Sequence, residues 1–180
     1  MTLDEFDTAH GVEGRLYELS RSRVIVTDVP SPRHGDTISR VHQQLATYRR
    51  HEHGVVLRAY GAAECKLLIE PTESERHPDV AIYMTEPPCD DSSVWSIWVP
   101  EIVVEVVSPG SEHRDYEEKP EDYLHFGVKE YWVIDGSRGV ITGHRRMSGR
   151  WQKRELTKAD RYSTHLLPGF ELVADALLPE

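Results

Sequence analysis

The sequence contains little cysteine and no long hydrophobic run. Its two cysteines, Cys65 and Cys89, form no CxxC motif and have no Cys/His spacing typical of a zinc site. No stretch approaches the roughly 18 apolar residues of a membrane span. The acidic N-terminus also lacks the basic and then apolar pattern of a secretory signal. We therefore expect a reduced, cytoplasmic, soluble protein that does not contact membranes.

Positive charge is also scarce. Lys and Arg number 21 against 31 Asp and Glu, which gives a formal net charge of −10 over 180 residues. This balance argues against any function that needs a broad basic surface for nucleic acid. With 38% hydrophobic and 29% charged residues, the composition is that of a globular protein. No internal repeat, low-complexity tract or linker is evident, so we expect a single domain over residues 1–180.

Hydrophobic periodicity predicts an alternation of strands and helices. β-branched runs bounded by turn residues indicate strands, and apolar side chains at three- and four-residue steps indicate helices. The predicted strands are 24–26 within a β-rich stretch 17–29, 55–60, 66–69, 80–84, 102–107, 130–135, and a hairpin of 140–146 with 151–156. The predicted helices are 38–52, 115–126 and 168–178, and 85–98 is expected to be a loop.

The order of these elements predicts an α/β fold. Segments 55–60, 66–69 and 80–84 are expected to be strands of one sheet, with 102–107 as its central strand. The whole is a mixed β-sheet flanked by helices, with additional C-terminal β-hairpin strands.

An acidic residue in the most β-branched run calls for an explanation. Glu105 lies in the middle of Ile-Val-Val-Glu-Val-Val, and a buried carboxylate without a partner costs several kcal/mol. If Asp79 begins the neighbouring strand, the two carboxylates can converge on a hard divalent cation such as Mg²⁺. The alternative is that Glu105 points to a solvated sheet face and that Asp79 is a turn residue after Pro78.

An ordered set of motifs favours the metal site. These motifs are His77-Pro78-Asp79-Val80, Glu105-Val106-Val107-Ser108-Pro109, and Arg114-Asp115 with Lys119. The set resembles the PD-(D/E)XK nuclease superfamily, and more narrowly a large bacterial family of restriction-endonuclease-like domains. In that family a PDV strand, a VEV-S-P strand and a helix with lysine and tyrosine recur. The resemblance covers nearly the whole chain and implies a Mg²⁺-dependent endonuclease that hydrolyses DNA phosphodiester bonds.

The resemblance also implies roles for individual residues. Asp79 and Glu105 would ligate Mg²⁺ or Mn²⁺, with the Val106 carbonyl as a further ligand. The usual third motif position is a lysine, but here it is Val107, which cannot hold charge. A lysine from the following helix takes over in this family, and Lys119 matches it as the residue that orients the attacking water. The alternative for Lys119 is a solvated charge that balances neighbouring glutamates.

Three residues are weaker candidates for the site. Lys66, on the preceding strand, is the second candidate for the catalytic lysine. Glu64 would be either a third carboxylate of the site or a surface glutamate. His34, before the first long helix, matches a family histidine and would either contact substrate or serve the helix entry. Ser108 has no G-x-S-x-G turn around it, so Ser108-Pro109 is interpreted as the end of a strand.

Other functions remain open at this stage. Val107 and the charge of −10 are also compatible with a non-catalytic or partner-dependent module that keeps the nuclease fold as a binding scaffold. A glycosidase that uses Asp79 and Glu105 as its carboxylate pair is less favoured. For the nuclease, we expect weak DNA binding that depends on salt and divalent metal, and a homodimer that cuts both strands of a duplex.

Overall fold

The computed structural model describes residues 1–13, 15–27 and 29–178. The predicted domain 1–180 and the predicted stretch 17–29 therefore include four positions outside the described ranges. The helices are α1 (Leu3–Asp7), α2 (Pro32–His51), α3 (Val94–Ile97) and α4 (Lys119–Phe126). The strands are β1 (Leu16–Ser20), β2 (Arg23–Thr27), β3 (Arg58–Tyr60), β4 (Leu67–Ile69), β5 (Ser74–Arg76), β6 (Val80–Tyr83), β7 (Ile102–Val106), β8 (Glu130–Asp135), β9 (Val140–Met147), β10 (Arg150–Leu156), β11 (Arg161–Ser163) and β12 (Glu171–Val173).

A six-stranded mixed sheet forms the centre of the fold. Its order is β10-β9-β8-β7-β6-β3, and β7 pairs parallel with β8, whereas the other pairs are antiparallel. All five residues of β7 are buried, as expected for a β-branched run in the middle of a sheet. The prediction that this run is the central strand is confirmed, and so is the mixed α/β sheet.

The two faces of β7 contact different layers. Ile102, Val104 and Val106 pack in the core that contains α2 and the C-terminal segment. Val103 packs on the other face, in the cluster that includes Tyr123 of α4. Side chains alternate along a strand, so Glu105 shares the face of Val103 and points toward α4. The alternative that Glu105 lies on a solvated sheet face is therefore excluded by its burial.

The expectation that 55–60, 66–69 and 80–84 share one sheet is wrong. β3 and β6 belong to the six-stranded sheet, but β4 pairs with β5 in a second sheet of order β2-β1-β5-β4. The residues 71–75 contain the end of a 3₁₀ turn, a left-handed Glu73 with φ of 45°, and the start of β5. Strands of three residues carry too little periodicity to reveal such a pairing.

Two further segments differ from the prediction. The stretch 168–178 is not a helix, because β12 pairs antiparallel with β11 and is followed by one 3₁₀ turn, Ala174–Ala176. The Gln44 side chain of α2 accepts from the Val173 amide and donates to its carbonyl, which satisfies the outer edge of β12. The segment 85–98, expected to be a loop, contains the single turn α3.

The helix that carries Lys119 begins in an unusual way. Arg114–Glu118 forms a π-helical turn that runs directly into α4, where Pro120 occupies the first turn. Proline is tolerated there because the first amides of a helix have no intrahelical acceptor. Gly127 ends α4 with φ of 107°, a left-handed conformation that favours glycine at the end of a helix. Lys119 is thus the first residue of α4 and follows the π-helical turn.

No helix in the described ranges is long and apolar enough to cross a membrane. Cys65 and Cys89 are free thiols, and burial raises the pKa of Cys65 to about 12.

Candidate active site

Asp79 and Glu105 meet at adjoining ends of two neighbouring strands. Val80 of β6 pairs with Val104 of β7 in antiparallel register, which places the preceding Asp79 beside Glu105. The Asp79 Oδ2 atom accepts a hydrogen bond of 2.7 Å from the Val106 amide. Asp79, Glu105 and Val106 all line one cleft of about 560 Å³. The site residues on these two strands are therefore brought together.

Glu105 is almost fully enclosed and has two strong partners. Its side chain is 3% exposed, and the Tyr123 hydroxyl donates to Oε1 over 2.5 Å. The Lys119 ammonium lies 2.9 Å from Oε2. Burial raises the pKa of the Glu105 carboxyl, and the Lys119 charge opposes that rise. The partners explain how a charged side chain is held in an apolar strand.

Lys119 is held between two carboxylates. Its ammonium is 2.9 Å from Glu105 Oε2 and 2.9 Å from Asp115 Oδ1. Burial by itself lowers the pKa of Lys119, but Glu105 and Asp115 outweigh it and raise that pKa above its usual value. Lys119 therefore remains a cation at the end of β7, and its burial excludes the alternative that it is a solvated surface charge.

Asp115 was not predicted to have a role in this site. It is buried, and its Oδ2 atom accepts a hydrogen bond of 2.5 Å from the Ser111 hydroxyl. The Tyr131 hydroxyl donates to the Asp115 backbone carbonyl over 2.8 Å, which fixes the π-helical turn against β8. The signal available in the sequence was the i,i+4 spacing of Asp115 and Lys119 on one helical face.

His34 lies in the first turn of α2 and connects Asp79 with the loop after β7. Its Nε2 atom is 3.0 Å from Asp79 Oδ1, and its Nδ1 atom is 2.9 Å from the Ser108 hydroxyl. The N-cap residue Ser31 accepts from the His34 amide and starts the helix at this point. His34 is thus both a helix-entry residue and a partner of the Asp79 carboxylate.

Glu64 and Lys66 do not line the cleft. The exposed Glu64 accepts from the Gly61 amide over 2.8 Å, which closes a local turn. The Lys66 ammonium pairs with Asp7 at 3.1 Å and with Glu75 at 3.2 Å. In this arrangement neither residue contacts Asp79 or Glu105 through a described hydrogen bond or ion pair.

The donor set fits a partly hydrated hard cation. In the described ranges, no group of three or more His, Cys, Asp or Glu side chains is arranged to hold a metal. Mg²⁺ is commonly held by one or two carboxylates and keeps several waters, so two carboxylates in a cleft are compatible with it. Zn²⁺ would need more nitrogen or sulfur ligands than Asp79 and Glu105 provide. Each Glu105 oxygen has one protein partner and retains a second acceptor direction in which it would hold a cation, and Asp115 is a second carboxylate partner for the Lys119 ammonium.

The comparison with family models identifies the family. Residues 3–175 match the model of Uma2, which is described as "Putative restriction endonuclease". The chain belongs to the Uma2 family. This confirms the resemblance to restriction-endonuclease-like domains that the PDV and VEV-S-P motifs indicated. No curated protein matches the chain.

A solved structure with the same fold supports the architecture of this Uma2 protein. The crystal structure of a putative nuclease belonging to DUF820 from Anabaena variabilis ATCC 29413 superposes with a TM-score of 0.79. The alignment covers 98% of this chain and 97% of that chain at 16% sequence identity. At this identity the likeness concerns the fold, and the predicted restriction-endonuclease-like α/β sheet is confirmed.

Proposed function

We propose that this Uma2 protein is a Mg²⁺- or Mn²⁺-dependent endonuclease that hydrolyses DNA phosphodiester bonds. The observation that carries the proposal is the position of Asp79 and Glu105 on adjacent strand ends, with the Lys119 ammonium beside Glu105 in the same cleft. Membership of a family described as restriction endonucleases supports a nuclease function.

In the proposed reaction the carboxylates and the lysine of the site would have different roles. Asp79 and Glu105, with the Val106 carbonyl, would hold the cation. When bound there, the cation would lower the pKa of a water molecule and polarise the scissile phosphate. Lys119 is a cation because of its two carboxylate partners, so it donates hydrogen bonds rather than accepting a proton. It would orient the attacking water and stabilise the negative charge that grows on the phosphate.

Three other groups would fix the metal ligands. Tyr123 holds one oxygen of Glu105, which restricts the rotation of that carboxylate. His34 and the Val106 amide each bond one oxygen of Asp79. Each carboxylate oxygen accepts one protein hydrogen bond and retains a second acceptor direction. The ligands are therefore oriented before any cation arrives, which lowers the cost of forming the site.

Cleavage of supercoiled plasmid tests the proposal. In Mg²⁺ or Mn²⁺ the wild-type protein is expected to nick or linearise the plasmid, and EDTA to abolish this. Asp79→Ala and Glu105→Gln are each expected to lower the rate by about 100-fold or more, in line with the loss of a group that stabilises transition-state charge. Glu117→Gln is the matched control, because Glu117 is exposed and lies on the same π-helical turn as Asp115. Cleavage by purified protein that survives both site variants would contradict the proposed site.

The alternative is a non-catalytic or partner-dependent scaffold. The observation that favours it is the pairing of Lys119 with Glu105 and Asp115, which occupies the ammonium and one oxygen of a metal ligand. Calorimetric titration with Mg²⁺ and Mn²⁺ separates the two functions. A nuclease is expected to show a site of millimolar affinity or better that is lost in Asp79→Ala, whereas a scaffold shows no such site.

The partner and the assembly state belong to the same proposal. We infer that DNA binds weakly, in a manner sensitive to salt and divalent metal, because the chain carries a net charge of −10. A homodimer would supply two sites for the cleavage of a duplex, and light scattering measures its mass directly. A cytoplasmic location is proposed from the two free thiols.

A further inference from the structure

The loop after β7 carries a hydroxyl that is connected to Asp79 through one intermediate side chain. The Ser108 hydroxyl lies 2.9 Å from His34 Nδ1, and His34 Nε2 lies 3.0 Å from Asp79 Oδ1. All three residues line the cleft, and His34 is only 8% exposed. The three side chains therefore form one continuous hydrogen-bonded chain that ends on a proposed metal ligand.

The chemistry of the three groups sets the direction of both hydrogen bonds. An ionised carboxylate only accepts hydrogen bonds, so His34 Nε2 must carry the hydrogen that is donated to Asp79. In the neutral ring the other nitrogen is then an acceptor, so the Ser108 hydroxyl donates to Nδ1. A ring flipped by half a turn about its Cβ–Cγ bond would present carbon atoms to both partners. Both bonds together therefore fix the orientation of the ring.

The backbone of this loop does not depend on the Ser108 hydroxyl. The Ser108 amide donates to the Ser111 hydroxyl over 2.9 Å, and the Ser111 amide donates to the Ser108 carbonyl over 2.9 Å. Within the described ranges, the Ser108 hydroxyl itself bonds His34 and no other protein group. Removal of the hydroxyl therefore takes away the contact with the ring and leaves the bonds that shape the loop.

We propose that Ser108 is a positioning residue, which holds the His34 ring in the orientation that donates Nε2–H to Asp79. The Val106 amide already bonds Oδ2 of Asp79, so the bond from His34 to Oδ1 fixes the remaining rotation of this carboxylate. Loss of a group that orients a metal ligand commonly lowers metal affinity by about 10–100-fold. The inference rests on the proposed function, in which Asp79 is a metal ligand.

Calorimetric titration with Mn²⁺ tests whether the hydroxyl affects the metal ligand. Ser108→Ala is expected to weaken Mn²⁺ binding by about three- to tenfold, less than the loss of a direct partner of the ligand. Ser108→Thr keeps a hydroxyl and is expected to stay within about twofold of wild type. Ser137→Ala is the matched control, because the Ser137 hydroxyl also bonds a side chain, that of Asp135, but lies after β8 and outside the cleft. It is expected to leave the Mn²⁺ affinity unchanged.

A double-mutant cycle with His34→Gln tests whether the hydroxyl acts through the ring. A glutamine amide places an N–H near the position of the histidine Nε2 atom, so His34→Gln can donate to Asp79 without a ring that needs orientation. In the His34→Gln protein, Ser108→Ala is expected to change the Mn²⁺ affinity by less than about twofold. An effect of Ser108→Ala that is as large in His34→Gln as in wild type would overturn the inference. An unchanged affinity in the single variant Ser108→Ala would do the same.

Nuclear magnetic resonance of isotope-labelled histidine provides a measurement that needs no metal. The His34 resonances are assigned by their loss in His34→Gln. In alkaline buffer, where histidine side chains are ordinarily neutral, His34 is expected to carry its hydrogen on Nε2. Ser108→Ala is expected to shift the Nδ1 resonance, because its hydrogen-bond donor is lost, whereas Ser137→Ala leaves it in place. A hydrogen on Nδ1 in the wild type, or identical His34 resonances in wild type and Ser108→Ala, would contradict the proposed role.

These outcomes are separable from failure of the nuclease function. Plasmid cleavage that depends on Asp79, together with an unchanged Mn²⁺ affinity in Ser108→Ala, removes the positioning role and leaves the nuclease. Mn²⁺ binding that depends on both Asp79 and Ser108, without plasmid cleavage, removes the nuclease and leaves the positioning role.

Discussion

His144 is expected to make the fold sensitive to mild acid. It is fully buried on β9, and its Nδ1 atom lies 3.1 Å from the Tyr131 carbonyl, to which it donates in the neutral ring. Its Nε2 atom is buried and has no hydrogen-bond partner. Protonation would therefore place a new N–H in an apolar environment without an acceptor. Burial, and then the nearby Lys153 charge, lower the pKa of His144 from 6.5 to about 4.

The size and sign of the effect follow from this pKa. Between pH 6.5 and about 4 the unfolded chain binds the proton and the folded chain does not, so folding stability falls as the pH falls. A difference of about 2.5 pKa units corresponds to about 3 kcal/mol in the free energy of unfolding. The loss begins below about pH 6.5 and is complete near pH 4, and stability at pH 7 and above is unaffected by this group.

Urea unfolding at several pH values measures the effect. Wild type is compared with His144→Gln, which keeps an N–H donor and does not titrate, and with His53→Gln, which removes an exposed histidine. From pH 7 to pH 4.5 the wild type is expected to lose about 2–3 kcal/mol more than His144→Gln, because the other titrating groups are common to both. His53→Gln is expected to follow the wild type. Identical pH dependence in wild type and His144→Gln would refute the reasoning.

Two further predictions concern the groups around Lys119 and Glu105. Asp115→Asn removes one carboxylate partner of the Lys119 ammonium, so in plasmid cleavage we expect kcat to fall by about tenfold with little change in KM. Melting is followed by circular dichroism in parallel, because a fall in kcat that accompanies a loss of fold would not support a positioning role for Asp115. Tyr123→Phe removes a hydrogen bond to a buried carboxylate and is expected to cost about 1.5 kcal/mol or more of unfolding free energy in urea. It should also weaken Mn²⁺ binding in calorimetry, and unchanged stability and metal affinity would contradict the role given to the Tyr123 hydroxyl.

The sequence predicted the part of the site that lies on long, regular elements. The β-branched run around Glu105 identified the central strand, because six residues of which five are apolar and β-branched have few alternatives to burial in a chain of this composition. The predicted helix 115–126 contains α4 and most of the π-helical turn before it. Local residue chemistry determines these features, so one sequence is sufficient to find them.

The parts that the sequence did not predict depend on contacts between distant segments. The strand β4 was predicted, but its pairing with β5 in a second sheet was not, because the two strands have three residues each and pair across a turn and with the distant β1. The segment that contains β12 has helical spacing, but its pairing with β11 outweighs that local preference. The bond between His34 and Ser108 joins residues 74 positions apart, and no local pattern records it.

The negative charge of the chain affects binding more directly than it affects the chemistry. The positive charge of Lys119 is neutralised by Glu105 and Asp115, so a phosphate that enters the cleft without a cation meets more carboxylates than strong cations. A divalent cation held by Asp79 and Glu105 would change this local charge by two units. In the proposed function, the metal therefore raises the affinity for DNA, and by thermodynamic linkage DNA raises the affinity for the metal by the same factor. The proposed nuclease is therefore expected to bind nucleic acid poorly when the cation is absent, and its excess of acidic residues is the physical reason for that dependence.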